Sequence, residues 1–263
     1  MLRKLRSLLR PDAPALPEVV TRLAPGRRVY AVGDIHGRLD LFEAMIGLIE
    51  ADDAARGPAE TLVILLGDLV DRGPDSAGVI NRARTWGERR PVRYLQGNHE
   101  EMFLGGFTDE GVLRHFLRHG GRETLLSYPI TTDEYMFATL EEVQAMMAER
   151  VPADHIAFMQ AMESLIRLDD YVFVHAGIRP GVALDEQKVS DLRWIRGEFI
   201  EDPAPRDFAV VHGHTITTDP QVSPTRIGID TGAFASGRLT AIGLEDDQRW
   251  LIVAEGEPAD YAD

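Results

Sequence analysis

An unbroken apolar run, Leu62-Val63-Ile64-Leu65-Leu66, ends in Gly67-Asp68-Leu69-Val70-Asp71-Arg72-Gly73. A strand covered on both faces reads as a continuous apolar run, so this segment predicts a central parallel strand that delivers Asp68 at its carboxyl end. Open α/β sheets place their chemistry there. Taken alone, Asp68 and Asp71 would be loop acids with Arg72 as their surface ion partner. Four further segments with the same grammar argue otherwise.

Arg28-Val29-Tyr30-Ala31-Val32 reads as a first strand ending in Gly33-Asp34-Ile35-His36-Gly37. Leu39, Phe42, Ile46 and Ile49 then fall on one face of a crossover helix. Asp75 to about Trp86 reads as a second crossover helix, and Val92-Arg93-Tyr94-Leu95 as a third strand ending in Gly97-Asn98-His99-Glu100. Over about residues 101–170 the periodicity turns helical and no strand is expected, with Gly105-Gly106 and Gly120-Gly121 as breaks. Thr139-Leu140-Glu141-Glu142 has the capping-box pattern, and Ile156, Met159 and Ile166 fall near helical spacing after Pro152. Such an insertion would wall a site. Strands return at Tyr171–Val174, ending in His175-Ala176-Gly177, and at Phe208–Val211, ending in His212-Gly213-His214-Thr215. Arg226–Asp230, Arg238–Leu244 and Arg249–Ala254 are expected to close a second sheet.

With 263 residues, 44% of them hydrophobic, the chain can build one large α/β domain, expected over residues 25–263. Residues 1–24 read as a basic tail and a linker carrying Pro11, Pro14 and Pro17. The formal net charge of −15 excludes a non-specific nucleic-acid binder, which needs a basic face. Lys4 and Lys188 are the only lysines, so a phosphate site here would be built from guanidinium groups. Cysteine is absent, which excludes disulfides, thiolate metal sites and a cysteine nucleophile. In the tail, Leu2, Leu5, Leu8 and Leu9 alternate with Arg3, Lys4, Arg6 and Arg10. Residues 1–10 read first as a frayed end, and only second as a turn able to touch an acidic membrane surface. No run resembles a signal peptide or reaches the roughly 18 apolar residues of a span, so a cytoplasmic protein is expected.

Five strand ends thus present Asp34 and His36, Asp68, Asn98, His175 and His214, a mixed oxygen and imidazole set without sulfur. Oxygen-only sites favour Mg or Ca, whereas imidazoles shift preference toward Mn, Fe or Zn, with Mn expected first. Six ligands are too many for one ion that also keeps positions open for water and substrate. Two ions sharing a carboxylate account for all six, and such a pair can clamp a phosphate and lower the pKa of a bridging water toward about 7.

The ordered set D-x-H-G, G-D-x-x-D-R-G, G-N-H-E, H-A-G and G-H-T, each after an apolar strand, resembles that of the calcineurin-like metallophosphoesterases. Within that family it is most similar to the PPP-type phosphatases of bacteria and phages, over about residues 28–245. The resemblance implies an αββα sandwich of two mixed sheets. It also implies that Asp34 and His36 bind one metal, Asp68 bridges, and Asn98, His175 and His214 bind the other. His99 would be the general acid, oriented by Asp71, with Arg72 and Arg196 gripping the phosphate oxygens and Asn98 also facing substrate. Each role is chemically apt, since an alkoxide leaving group needs a proton and an arginine fork can take two oxygens at once. His212 precedes the Gly-His pair and reads as a supporting residue. His115 and His119 read as surface or packing residues; Arg122, after Gly120-Gly121, could reach a pocket mouth, but it and Arg38 read first as helix-surface arginines.

The resulting expectation is a dinuclear phosphomonoesterase, a protein phosphatase for phosphoserine and phosphothreonine with phosphotyrosine as a further substrate, in which a metal-bridging hydroxide attacks phosphorus. The alternative is a symmetrical diadenosine tetraphosphate hydrolase or another small-molecule phosphoesterase. In that symmetrical group the position matching Asp71 is commonly Ala, which favours the protein phosphatases. Partners are therefore a phosphoprotein or a small phosphoester, and not a nucleic acid.

Overall fold

Three parallel strands, β1 (Arg27–Val32), β2 (Glu60–Leu65) and β3 (Val92–Tyr94), form the centre of the computed structural model, which describes residues 20–258. Parity explains why β1 from Val29 and β2 from Leu62 are apolar at every position. Val29, Ala31, Ile64 and Leu66 point into a core between two sheets, while Tyr30, Val32, Val63 and Leu65 point into a second core beneath helices. The other sheet holds β4 (Leu165–Leu168), β5 (Tyr171–Val174), β6 (Ala209–His212), β7 (Gln221–Val222) and β8 (Arg226–Gly228), in the order β4-β5-β6-β8-β7. Its β5, β6 and β8 run parallel, and β4 and β7 are antiparallel edges.

Two expectations about strands need correction. Strands β9 (Arg238–Glu245) and β10 (Gln248–Glu255) do not close the second sheet; they extend the first, in the order β10-β9-β1-β2-β3, with β9 antiparallel to β1. Strand β4 lies within the stretch read as purely helical. Ile166, placed there on a helical face, is instead the buried residue of an edge strand that turns at Asp169-Asp170 into β5.

Helix α1 (Leu39–Arg56) buries Leu41, Phe42, Met45, Ile46 and Ile49 against β9 and β10. Each such side chain contributes about 1.5–3 kcal/mol of burial. Helix α2 (Ser76–Gly87) starts at Asp75, whose carboxylate accepts from the Gly78 amide at 2.7 Å. The insertion continues that layer with α3 (Asn98–Gly106), α4 (Glu110–Phe116), a kinked turn at Leu117–Gly121, α5 (Arg122–Leu126), α6 (Thr132–Phe137), α7 (Leu140–Arg150) and α8 (Ala153–Gln160). The capping box at Thr139 is present: Thr139 Oγ1 accepts from Glu142 N at 3.3 Å, and the Glu142 carboxylate accepts from Thr139 N at 2.7 Å. Val172, Val174 and Val210, on the outer face of the second sheet, are covered by Leu192, Ile195 and Phe199. Helices, two mixed five-stranded sheets and helices again make the αββα sandwich.

Leu23 is buried in the core between the sheets, its amide donating to Asp246 O at 2.9 Å. The basic tail and most of the proline linker, with the expected membrane contact of residues 1–10, lie outside the described residues. Among the described residues no helix is long and apolar enough to cross a membrane.

Candidate metal centre

The carboxyl ends of β1, β2, β3, β5 and β6 meet at one edge of the sandwich. They bring together the six residues that the sequence pattern singles out as ligands: Asp34, His36, Asp68, Asn98, His175 and His214, all of them buried. Their loops are strained. Seven non-glycine residues among those described have positive φ, and five are here: His36 (46°), Asp68 (51°), Asp71 (74°), Arg72 (70°) and His214 (61°). Non-glycine residues enter this region rarely, at a cost of about 1–3 kcal/mol each, and such strain clusters at functional sites. The glycines of the G-N and G-H motifs serve close approach. A Cβ on Gly97 would lie 2.1 Å from Asp68 Oδ1, and one on Gly213 would lie 2.0 Å from Asp34 Oδ1.

Carbonyl oxygens fix the imidazoles. His36 Nδ1 donates to Val70 O at 2.7 Å and His175 Nδ1 to Leu66 O at 2.9 Å, so in both rings Nε2 is the nitrogen turned toward the acids. Asp68 lies between two groups of these rings. Its Oδ2 is 3.6 Å from His36 Nε2 and 3.9 Å from His99 Nε2, while Oδ1 is 3.4 Å from His175 Nε2. Two trios, His36 with Asp68 and His99, and Asp68 with His175 and His214, each offer ligand atoms within 4.8 Å of one another. His214 Nε2 is buried with no hydrogen-bond partner among the described residues, an orphaned lone pair of the kind a metal ion satisfies. Asn98 Oδ1 lies 3.0 Å from His175 Nε2, and both Asp34 oxygens accept from the His214 amide, at 3.2 and 3.0 Å.

The charges are crowded. Burial, with Asp230 and Asp68 nearby, pushes Asp34 well above the usual carboxylate range. Burial likewise raises Asp230, which lies at the end of β8 and accepts from Gly232 N at 2.8 Å. Burial also opposes charge on Asp68, but His175 and His99 outweigh it and hold Asp68 low. Burial disfavours a charged His175, yet Asp68 carries it up to about 10; burial and His175 together push His214 down to about 2. Buried acids gathered with imidazole nitrogens form a donor set suited to divalent cations.

His99 Nδ1 lies 2.6 Å from Asp71 Oδ2, and Asp71 is itself held by Thr124 Oγ1 at 2.6 Å and, through its amide, by Ser76 Oγ at 3.0 Å. Burial opposes charge on His99, but Asp68 and Asp71 raise its pKa overall. Arg72 donates to His36 Nε2 at 2.8 Å and approaches His99 Nε2 at 3.1 Å. Arg196 is exposed and reaches the site by donating to His214 O at 3.1 Å. His212 is buried two residues before His214, its Nδ1 3.0 Å from Gly213 O and its ring edge-on to Phe199. His115 and His119 are exposed. Arg38 corrects the surface reading: it is buried, pinning Asp40, Ala233 O at 3.0 Å and Glu257 O at 3.0 Å.

Sequence reasoning missed the residue that ties the loops together. Glu100 is fully buried; its carboxylate accepts from Gly97 N (2.9 Å), Asp68 N (2.9 Å), Leu69 N (2.7 Å) and Val70 N (3.3 Å), joining the Asp68 loop to the Asn98 loop. The G-N-H-E string contained it, but nothing in the string shows where its carboxylate goes. Asp230, Thr124 and Phe234 were missed as well, and no motif marks them.

Residues 27–235 match the calcineurin-like phosphoesterase family. A curated relative from Anoxybacillus flavithermus, named bis(5'-nucleosyl)-tetraphosphatase PrpE (asymmetrical), is 28% identical over 230 residues, covering 80% of this chain and 88% of its own. A protein of the same name from Geobacillus sp. is 28% identical over 236 residues, covering 81% and 89%. The crystal structure of a candidate diadenosine tetraphosphatase superposes with a TM-score of 0.62 at 21% identity, over 92% of this chain and 97% of that one. The cold-active protein-tyrosine phosphatase of a psychrophilic Shewanella sp. gives 0.57 at 18% identity, over 94% and 88%. Likeness at these identities speaks for the fold, while the family match, covering most of the chain and all six expected ligands, speaks for kinship. The chain belongs to the calcineurin-like phosphoesterases.

Proposed function

We propose that this protein is a two-metal phosphoester hydrolase, with Asp34 and His36 on one ion, Asn98, His175 and His214 on the other, and Asp68 on both. The observation that carries this reading is the position of Asp68, each of whose oxygens faces a different imidazole group. When bound, two such ions supply a clamp for phosphate oxygens and a hydroxide nucleophile near neutral pH. Arg72 and Arg196 hold non-bridging oxygens through their guanidinium forks. His99 Nε2 gives its proton to the leaving oxygen, while Asp71, accepting from Nδ1, keeps the ring oriented and favours its charged form.

For the substrate, the reading favoured by the curated relatives is a dinucleoside tetraphosphate cleaved asymmetrically, rather than the symmetrical cleavage considered from sequence. The second reading, a PPP-type protein phosphatase, is favoured by the His99–Asp71 pair, because an acid matters most for a serine alkoxide. Rates measured side by side on diadenosine tetraphosphate, phosphoserine peptide and phosphotyrosine peptide decide between them. A larger kcat/KM on the dinucleotide is expected. The reverse order gives the function to the protein-phosphatase reading.

Chelation should abolish activity on every one of these substrates, and Mn²⁺ should restore it better than Mg²⁺, because three imidazoles match a hard ion poorly. Equal rescue by Mg²⁺ in a metal-free preparation would sink the ligand assignment.

A further inference from the structure

A cleft of about 440 Å³ opens beside the candidate metal centre, lined by Arg72, Arg118, His119, Arg122, Glu123 and Phe234 among others. Two of its walls are shared with the centre. Arg72 reaches His36 and His99 on one side and lines the cleft on the other, and Phe234 packs edge-on to His36 at 5.4 Å with the Arg72 guanidinium 4.5 Å above its ring. The remaining wall is the kinked segment Leu117–Gly121, in which His119 and Gly120 leave helical geometry. It is a kink between two helices, made where Gly120 takes a positive φ that other residues rarely adopt. The kink is locked to the Arg72 loop: Arg72 N donates to Gly120 O at 3.0 Å, and a Cβ on Gly120, at φ +103°, would lie 2.7 Å from Arg72 Cγ.

The charge of the cleft runs against that of the chain. In a protein of net charge −15, three guanidinium groups face one carboxylate, Glu123, which accepts from Arg122 at 3.2 Å. The Arg118 side chain is exposed and makes no hydrogen bond or ion pair among the described residues. An arginine cluster beside a phosphate-cleaving centre suits a ligand with several anionic oxygens in a row.

We propose that Arg118 and Arg122 form a subsite for an oligophosphate chain, holding the phosphates that lie beyond the one being cleaved. The inference rests on the proposed two-metal site next to it, and it makes the insertion a determinant of specificity for phosphoanhydride over simple monoester substrates. Arg72 is the residue common to the scissile phosphate and the chain.

The test uses the full chain with Mn²⁺ in excess and inorganic tripolyphosphate as an inhibitor of para-nitrophenyl phosphate hydrolysis, beside orthophosphate. Arg118→Ala combined with Arg122→Ala should weaken inhibition by tripolyphosphate about tenfold or more while orthophosphate inhibition and turnover of the aryl ester change less than about twofold. Glu123→Gln, which releases Arg122, should strengthen tripolyphosphate inhibition. On diadenosine tetraphosphate the double variant should lose kcat/KM mainly through KM. Unchanged tripolyphosphate inhibition, or an equal loss for orthophosphate and the aryl ester, overturns the subsite. Because the inhibition arm needs no dinucleotide hydrolysis, failure of the dinucleotide reading is seen separately, and loss of metal dependence on the aryl ester separately reports failure of the two-metal reading.

Discussion

Replacing His99 with Asn should slow hydrolysis of a phosphoserine peptide by about 10²–10⁴-fold and leave the metal content unchanged. The loss should depend on the leaving group. A serine alkoxide is about as basic as hydroxide and cannot depart without a proton. A tyrosine phenolate, with a conjugate acid near pKa 10, needs the proton less, and an aryl ester of a more acidic phenol or a phosphoanhydride needs it least. Asp71→Asn should give the same order more mildly, since Asp71 acts through the 2.6 Å contact with His99 Nδ1. If His99 instead positioned substrate or served as a ligand in the trio with His36 and Asp68, all substrates would lose equally or metal content would fall. Steady-state rates on the substrate series, with elemental analysis of the same preparations, separate these outcomes.

The second large effect is expected at a residue that touches no substrate. In Glu100→Gln one carboxylate oxygen becomes an amide nitrogen, so donors would face donors, at Leu69 and Val70 on one side or at Asp68 and Gly97 on the other. Leaving buried donors unpaired costs about 1–3 kcal/mol each. For a chain of this size each kcal/mol lowers Tm by about 2–4 °C. The damage to activity should be greater than that to stability, because Glu100 sets the relative position of Asp68 and Asn98, and a displacement near 1 Å can cost on the order of 10²-fold. Thermal unfolding and turnover of an aryl phosphate measure the two effects. A Glu100→Gln protein with ordinary Tm and rate would remove Glu100 from its role as the tie between the loops.

The divide between what the sequence shows and what it hides follows from locality. The run Leu62–Leu66 is legible because burial on both faces leaves a local mark, and each candidate ligand is legible because a glycine-flanked turn follows its strand. The partner of β9 is not: the residues of Arg238–Glu245 are equally apt for either sheet, and pairing with β1 is decided some two hundred residues away in the chain. Strand β4 was hidden because only Ile166 is fully buried, so its four residues carry no clear alternation. Thr124 holds Asp71 from 53 residues away and Asp230 stands beside Asp34 from another strand, so neither has a spacing to betray it. Substrate preference is the least legible feature, since Arg118 and Arg122 look like ordinary helix-surface residues until the turn at Gly120 sets them against Arg72.

The two-metal account turns on Asp68, whose oxygens face His36 and His99 on one side and His175 on the other. Elemental analysis of Mn²⁺-loaded protein, before and after extensive dialysis, puts it to the test. The account predicts about two ions per chain in the native protein and the joint loss of both in Asp68→Asn, because one anion serves two cations. An Asp68→Asn protein that keeps two tightly held ions, or loses only one, would contradict it.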